Sequence, residues 1–173
     1  MVSLKNVLLL ATAAFASVAP RDGAKSLDDL HAINSGTVSL TIAINAYTGG
    51  LLGGFPILDA EAKLITVIKT ATTNAISSGP ATLAEAHNII NFITGTMEPT
   101  IKTSFAAIKS KKPLFEAAGL TSAVKSILES LKLATDNLGA ALIAHVLVSV
   151  TADAKAIMVR IDADLDDVIR FYS

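Results

Sequence analysis

The sequence predicts an all-α protein, a single-domain bundle of about five amphipathic helices. Apolar side chains recur every three or four positions along each long segment after residue 25, which is the spacing of one helix face. No stretch alternates apolar and polar residues as a half-buried strand does. The chain has no cysteine, so a domain of about 150 residues must be stabilised by its core alone, and that length permits it.

The N-terminus has the features of a secretory signal peptide. One lysine precedes a short apolar run from Val7 to Ala16, and small residues predict cleavage near residues 16–21. The run is too short to span a bilayer; the alternative is a buried N-terminal helix. We therefore assign residues 1–19 to the signal peptide and 22–173 to the folded domain, and expect a secreted, extracellular protein.

The first three helices are predicted from their apolar faces and their ends. The first runs from Ser26 to the glycine pair after Thr48, where a left-handed cap costs little. The second follows a loop at 51–56 and covers about 57–78. Thr82 and the glutamate three residues later form a capping box for the third helix. Pro99 lies inside its apolar face and predicts a kink or a break near Met97.

The last two helices are predicted after residue 120. Thr121 is expected to cap the fourth helix, and the last is expected at about 151–172. Gly139, within the fourth helix, should cost about 1 kcal/mol relative to alanine. From Leu138 to Val150 the chain is apolar on nearly every side. Such a helix is central in the core, lines a cavity or exposes an apolar patch.

The residues contain no enzyme signature, and we predict neither an enzyme nor a cofactor. The chain lacks a nucleophile elbow, a zinc-protease motif and a phosphate-binding glycine loop. A formal net charge of −1 leaves no surface basic enough for nucleic acid. No metal site is predicted, because the histidines lie on separate helices without a second ligand one turn away: His31, His87 and His145.

The width of the apolar faces predicts a central cavity for a fatty acid or another lipid, with an ordinary packed core as the alternative. Burial contributes about 0.8 kcal/mol per CH₂ group, so a sixteen-carbon chain needs no charged partner. The candidate lipid-binding residues are Leu40, Ile44, Tyr47, Leu64, Ile68, Ile90, Ile93, Met97, Ile101, Phe105, Leu128, Leu131, Leu138, Leu142, Ile161 and Leu165. The polar head-group candidates form a stripe on the first helix, whose alternative role is a solvated surface: Thr37, Thr41 and Asn45.

Short segments along the whole chain carry a family resemblance through their order and spacing. They are Asn45-Ala46-Tyr47-Thr48-Gly49-Gly50, Ser78-Gly79-Pro80, Lys111-Lys112-Pro113-Leu114-Phe115, Ala118-Gly119-Leu120, Leu131-Lys132 before Ala134-Thr135-Asp136, Ile161-Asp162-Ala163 and Tyr172-Ser173. In these the chain resembles the fungal hydrophobic-surface-binding protein A family, which includes the antigenic cell-wall galactomannoproteins.

The resemblance implies a five-helix bundle that sequesters fatty acids in an apolar tunnel, adsorbs to hydrophobic surfaces, or does both. It also implies a secreted esterase as a protein partner. The alternative is a structural cell-wall protein or antigen without a small-molecule ligand. The sequence lacks the Ser/Thr-rich stalk and lipid-anchor signal of galactomannoprotein members, which favours free secretion over wall association. Without long heptads, a monomer is expected.

Overall fold

The computed structural model describes residues 23–173, so the predicted signal peptide lies outside the described residues. Within this range every element is helical and no strand is present, which confirms the predicted single-domain bundle. The elements are α1 (Gly23–Ala46), α2 (Phe55–Ser77), α3 (Leu83–Phe92), α4 (Glu98–Ser110), α5 (Lys112–Ala117), α6 (Thr121–His145) and α7 (Val148–Phe171). A π-helical turn, Ile93–Met97, joins α3 to α4 without a break.

Short turns between long helices give the bundle two distinct ends. We call the end where α1, α4 and α7 finish the aromatic end, because Tyr47, Phe115 and Tyr172 pack there. We call the opposite end the His145 end, because the backbone N–H of Ala81, between α2 and α3, donates to the carbonyl of His145 at 3.2 Å. Between the two ends α1 packs on α2 and α4, α2 packs on α6, and α7 packs on α3, α4 and α6.

The start of the bundle differs from the prediction by a few residues. α1 already includes Gly23, three residues before the predicted start at Ser26, and it ends before the glycine pair, in which Gly49 has φ 114° and Gly50 has φ 77°. The predicted loop at 51–56 contains a 3₁₀ turn, and α2 starts directly after it at Phe55. Pro56 sits in the first turn of α2, where no helical hydrogen bond needs its missing N–H.

One predicted helix cap is confirmed and another is wrong. Thr82 Oγ1 accepts from the N–H of Glu85 at 3.3 Å, and a Glu85 carboxylate oxygen accepts from the N–H of Thr82 at 2.7 Å. Thr121 does not cap α6, because it is already the first helical residue and Leu120 occupies the cap position. The carbonyl of Phe115 accepts a hydrogen bond from the Leu120 N–H at 2.8 Å, so α6 follows the turn after α5 directly.

The region around Pro99 is irregular in the place that the sequence indicated. The π turn ends at Met97, and Pro99 falls in the first turn of α4. Such turns are the usual way in which a helix absorbs one extra residue. The predicted change in the direction of the helix axis stays a prediction.

The apolar stretch from Leu138 to Val150 is not one helix. α6 ends at His145, and the extended backbone of Val146 and Leu147 turns the chain into α7, which begins at Val148 instead of residue 151. As a result the stretch divides between two environments. Leu138 and Val150 are buried, whereas Leu147 and Val148 are exposed, Val148 by 93%.

The core consists of two apolar clusters. The larger one joins α1, α2 and α6 with the aromatic end. The smaller one lies on the inner face of α7, where Ile157, Ile161 and Leu165 pack against Ile90, Ile93 and Phe105. Members of both clusters face a common space in the middle of the bundle.

Candidate functional site

A cavity of about 100 Å³ lies at the centre of the bundle, between α1, α2, α4, α6 and α7. Its wall is almost wholly apolar, and the polar side chains in it are three hydroxyls, those of Thr37, Ser104 and Thr135. No charged residue lines it among the residues described. Sites for small ligands usually measure roughly 300–1,000 Å³, so this cavity must widen to hold a lipid.

Most of the predicted lipid-binding residues line this cavity. Those that do are Leu40, Leu64, Ile68, Ile93, Met97, Ile101, Phe105, Leu131, Leu138, Leu142, Ile161 and Leu165. Ile44, Tyr47 and Leu128 do not; each is at most 2% exposed, in a packed layer nearer the aromatic end. Ile90 is also absent from the wall and packs on the inner face of α7. Periodicity identifies the buried face of a helix, but it does not say how far along the axis a cavity extends.

The predicted head-group residues are separated by the structure. Thr37 lines the cavity, but its hydroxyl donates to the carbonyl of Ile33 at 3.0 Å. Thr41 is buried outside the cavity wall, and its hydroxyl donates to the carbonyl of Thr37 at 2.8 Å. Asn45 is exposed near the aromatic end, where its backbone carbonyl accepts from Lys111 Nζ at 2.9 Å.

Several residues in the wall were not among the predicted site residues. They are Leu30, Ile33, Ser104, Thr135, Gly139, Ile157 and Met158. Ser104 follows Ile101 by three positions and Thr135 follows Leu131 by four, so helical spacing carried the signal in both cases. Unlike Thr37, these two hydroxyls make no hydrogen bond with any residue in the described part of the chain. Their O–H groups are therefore free to donate into the cavity.

Gly139 on α6 lies in close contact with the Met158 side chain on α7. A methyl group on Gly139 would overlap the Sδ and Cε atoms of Met158 and would lie 3.1 Å from its Cγ. Both residues line the cavity. The glycine therefore gives the Met158 side chain its position beside the cavity, which explains why the core of α6 contains a residue with poor helix propensity.

Charged groups hold the outer edge of the same two helices together. Lys132 Nζ on α6 lies 3.3 Å from an Asp162 oxygen and 3.6 Å from an Asp166 oxygen, both on α7. Burial and the neighbouring Asp162 carboxylate raise the pKa of Asp136 on α6. On the other side of α7, Asp167 pairs with Lys109, and hydrogen bonding to this lysine lowers the pKa of Asp167.

The described residues contain no group of three or more histidine, cysteine, aspartate or glutamate side chains placed to hold a metal ion. The ring of His31 lies 4.1 Å from the ring of Phe92, so this histidine packs against an aromatic side chain. None of the helices between residues 23 and 173 is both long and apolar enough to cross a membrane.

These features define a class of protein, the small helical bundle with an apolar internal cavity. A family model for hydrophobic surface binding protein A matches residues 23–144, and the chain belongs to this family. The predicted family is thus confirmed. No curated protein sequence matches the chain significantly.

Solved structures share this fold over most of the chain. AFMP4P in complex with palmitic acid is 32% identical and superimposes with a TM-score of 0.84, covering 88% of this chain and 100% of that one. Ligand binding domain 1 of the Penicillium marneffei MP1 protein, complexed with arachidonic acids, is 19% identical with a TM-score of 0.80, covering 88% and 97%. Domain 2 of the same protein, complexed with multiple arachidonic acids, is 16% identical with a TM-score of 0.78, covering 90% and 98%. At these lower identities the two domains establish the fold alone.

Proposed function

We propose that this protein binds a fatty acid or a similar single-chain lipid in the central cavity. The observation that carries the proposal is the cavity itself, which five helices enclose and which no charged group enters among the described residues. AFMP4P, whose structure contains palmitic acid, is 32% identical to this chain and supports the same assignment. The apolar wall matches an acyl chain, whose burial contributes about 0.8 kcal/mol per CH₂ group.

The cavity must widen on binding, and α7 is the wall best suited to move. Ile157, Ile161 and Leu165 on its inner face form a cluster separate from the main core, which α7 joins only near its C-terminal end through Val168. α7 packs on α3, α4 and α6. Met97 and Met158 lie in the wall, and methionine side chains change shape more easily than branched ones. A sixteen-carbon chain would contribute roughly 12 kcal/mol before the costs of association, which leaves room for the cost of opening.

The head group is assigned to the two free hydroxyls in the wall. Ser104 on α4 and Thr135 on α6 face the cavity without a partner among the described residues, so each can donate to a carboxylate oxygen. Thr37 contributes less, because its proton is already held by the carbonyl of Ile33. Hydrogen bonds to a charged acceptor contribute about 1.5–3 kcal/mol, enough to orient the ligand without a cation.

We assign a binding role rather than an enzymatic one. The described wall holds hydroxyls but no histidine, carboxylate, lysine or cysteine, so neither hydroxyl has a base to activate it. Residues 1–19 support secretion of the mature domain, and we propose that this domain acts as a monomer. Light scattering after size-exclusion chromatography tests the monomer, and N-terminal sequencing of the secreted protein tests cleavage near residues 16–21.

Native mass spectrometry of the secreted protein tests the binding function directly. We expect a discrete added mass that organic extraction removes and that palmitate restores. A protein that stays bare after incubation with long-chain fatty acids would contradict the proposal. That result would favour the alternative of a structural cell-wall protein or antigen without a ligand.

Adsorption to hydrophobic surfaces is a second candidate function, and exposed side chains after α1 favour it. We define the α1–α2 patch as Leu51, Leu52, Phe55 and Leu58, which are 64%, 75%, 58% and 43% exposed. An apolar cluster of this kind is uncommon on a monomer without a partner. A secreted esterase stays the predicted protein partner of the adsorbed form.

Leu52→Glu combined with Phe55→Glu tests the patch. We expect this double variant to bind phenyl resin more weakly than the wild type, while palmitate binding is unchanged. Leu133→Glu combined with Val159→Glu, at positions 64% and 67% exposed, adds the same charge and serves as the control. Equal retention of all three proteins would exclude the α1–α2 patch as the adsorbing surface.

A further inference from the structure

The aromatic end closes the cavity with a layer of packed side chains. An apolar surface pocket of about 150 Å³ lies outside this layer, next to Phe115 and the α1–α2 patch, and shares no lining residue with the cavity. The ring of Tyr47 stacks on the ring of Phe115 at 4.6 Å, and the Tyr172 hydroxyl donates to the carbonyl of Ile108 at 2.6 Å. Lys111 Nζ donates to the carbonyl of Tyr47 at 2.8 Å and fixes the layer from outside. A ligand that left through this end would have to displace these interactions together.

At the His145 end, fewer side chains separate the cavity from the surface. A surface pocket of about 30 Å³ lies there, bordered by the Ser78–Gly79 turn, Ala81 and His145. Leu142 lines both this pocket and the central cavity, so one layer of side chains separates them. Leu30 and Leu138 complete the constriction beside it. Rotation of a half-buried leucine is a small barrier compared with the opening of a stacked aromatic layer.

The backbone at the His145 end comes from two segments without permanent charge. Residues 70–84 and residues 137–152 contain no aspartate, glutamate, lysine or arginine. They meet where the Ala81 N–H donates to the carbonyl of His145. Of the charged groups that begin α1 nearby, Asp29 is held by Asn74 Nδ2 at 2.9 Å. Contact with an apolar phase through these two segments would therefore desolvate no permanently charged side chain of their own.

Exposed apolar side chains surround the same end, and we call them the rim: Ile76, Leu83, Leu147 and Val148. Their exposed fractions are 63%, 46%, 37% and 93%. Leu83 and Val148 are the first residues of α3 and α7, and their side chains are exposed and do not belong to either core cluster. The packing inside the bundle therefore does not explain the rim.

We propose that the His145 end is a portal, at which the rim docks on a lipid surface and an acyl chain passes beside Leu142 into the cavity. The inference rests on the proposed lipid binding and identifies the partner as a membrane or micelle of single-chain or diacyl lipids. Leu142 shared between the pocket and the cavity, the two backbone segments without permanent charge and the exposed rim all point to the same end. The surface supplies the ligand, and the closed aromatic end stops the chain.

The test measures the rate at which a fluorescent fatty acid moves from zwitterionic phosphatidylcholine vesicles to the protein. The rim variant is Leu83→Glu combined with Val148→Glu. An acidic side chain in the first turn of a helix interacts favourably with the helix dipole, so both changes are compatible with folding. The control is Leu133→Glu combined with Val159→Glu, which adds the same charge at positions on the sides of the bundle that are 64% and 67% exposed.

We expect the rim variant to transfer the fatty acid about tenfold more slowly or worse, because two apolar anchors are lost from the contact. The transfer rate of the wild type should rise with vesicle concentration, whereas that of the rim variant should not. Its equilibrium affinity in vesicle-free buffer should match the wild type, and the control should match the wild type in both measurements. Normal binding with equal transfer rates in all three proteins would overturn the portal alone. Failure of the wild type to bind the fatty acid in buffer would overturn the proposed function and the portal with it.

Discussion

Gly139→Ala tests whether the contact between α6 and α7 shapes the binding cavity. The added methyl group would overlap the end of the Met158 side chain, so that side chain must move by more than a rotation of its last bond. Met158 lies half-buried in the cavity wall, and we expect its displaced end to enter the cavity. The matched control is Gly95→Ala in the π turn, because a Cβ there would meet no atom within 4 Å.

The magnitudes separate the two variants. Replacement of glycine by alanine within a helix stabilises it by about 1 kcal/mol, and Gly95→Ala should approach this gain. At Gly139 overpacking should cost about 1–3 kcal/mol and cancel or reverse the gain. If the displaced Met158 occupies the space of about two methylene groups, palmitate binding loses about 1.6 kcal/mol, which is roughly a fifteenfold weaker affinity.

Urea denaturation and calorimetric titration with palmitate measure the two effects on each variant. We expect Gly95→Ala to bind palmitate as the wild type does, and Gly139→Ala to bind it more weakly without a gain in stability. The reasoning would be refuted if Gly139→Ala gained as much stability as Gly95→Ala and kept the wild-type affinity. Met158 would then have room to move elsewhere, and Gly139 would have no part in the site.

Three further variants test the head group, the charged edge and the closed end. Ser104→Ala with Thr135→Val should weaken palmitate binding about tenfold but leave methyl palmitate binding nearly unchanged, because only the carboxylate carries charge; equal losses in paired titrations would contradict the head-group assignment. Asp136→Asn should raise the Tm at pH 7 by up to about 3 °C, an effect of under about 1 kcal/mol. The pKa of Asp136 is raised in the folded state, so its ionised carboxylate destabilises the fold only when the pH is above the pKa of the unfolded state. The higher Tm of the variant should therefore vanish near pH 3. A difference in Tm that stays constant between pH 7 and pH 3 would contradict this explanation. Tyr172→Phe should lower the free energy of unfolding by about 0.5–1.5 kcal/mol, because the Ile108 carbonyl loses one hydrogen bond but keeps the Lys111 N–H at 3.2 Å, while palmitate affinity stays the same; denaturation curves that coincide with the wild type would contradict this.

The helical faces could be predicted from the sequence because burial follows the helical period. Leu40, Leu64 and Leu131 fall on predicted faces and lie in the cavity wall. Ile44 and Leu128 fall on the same faces one turn away and lie in the packed layer instead. The period is identical in both environments, so only the three-dimensional structure distinguishes a wall from a packed core.

Other features escaped prediction because their cause lies in another helix. Gly139 has a helix penalty that is visible in the sequence, but its reason is the Met158 side chain on α7. Ser104 and Thr135 could not be distinguished from Thr37 in the sequence, because the sequence does not show which hydroxyl in a helix donates to a carbonyl of its own helix. The turn at Val146 and Leu147 contains neither glycine nor proline, the residues by which turns are usually predicted.

The packed layer at the aromatic end also bears on selectivity among ligands. A cavity closed at one end has a fixed depth, measured from Ile44 and Leu128 to the constriction at Leu142. Under the proposed function, acyl chains up to that depth gain affinity with each added carbon, and longer chains leave their surplus carbons at the surface, where they gain nothing more. The bundle then selects ligands by the length of the acyl chain, and the limit is set by buried residues of the packed layer that no ligand needs to contact.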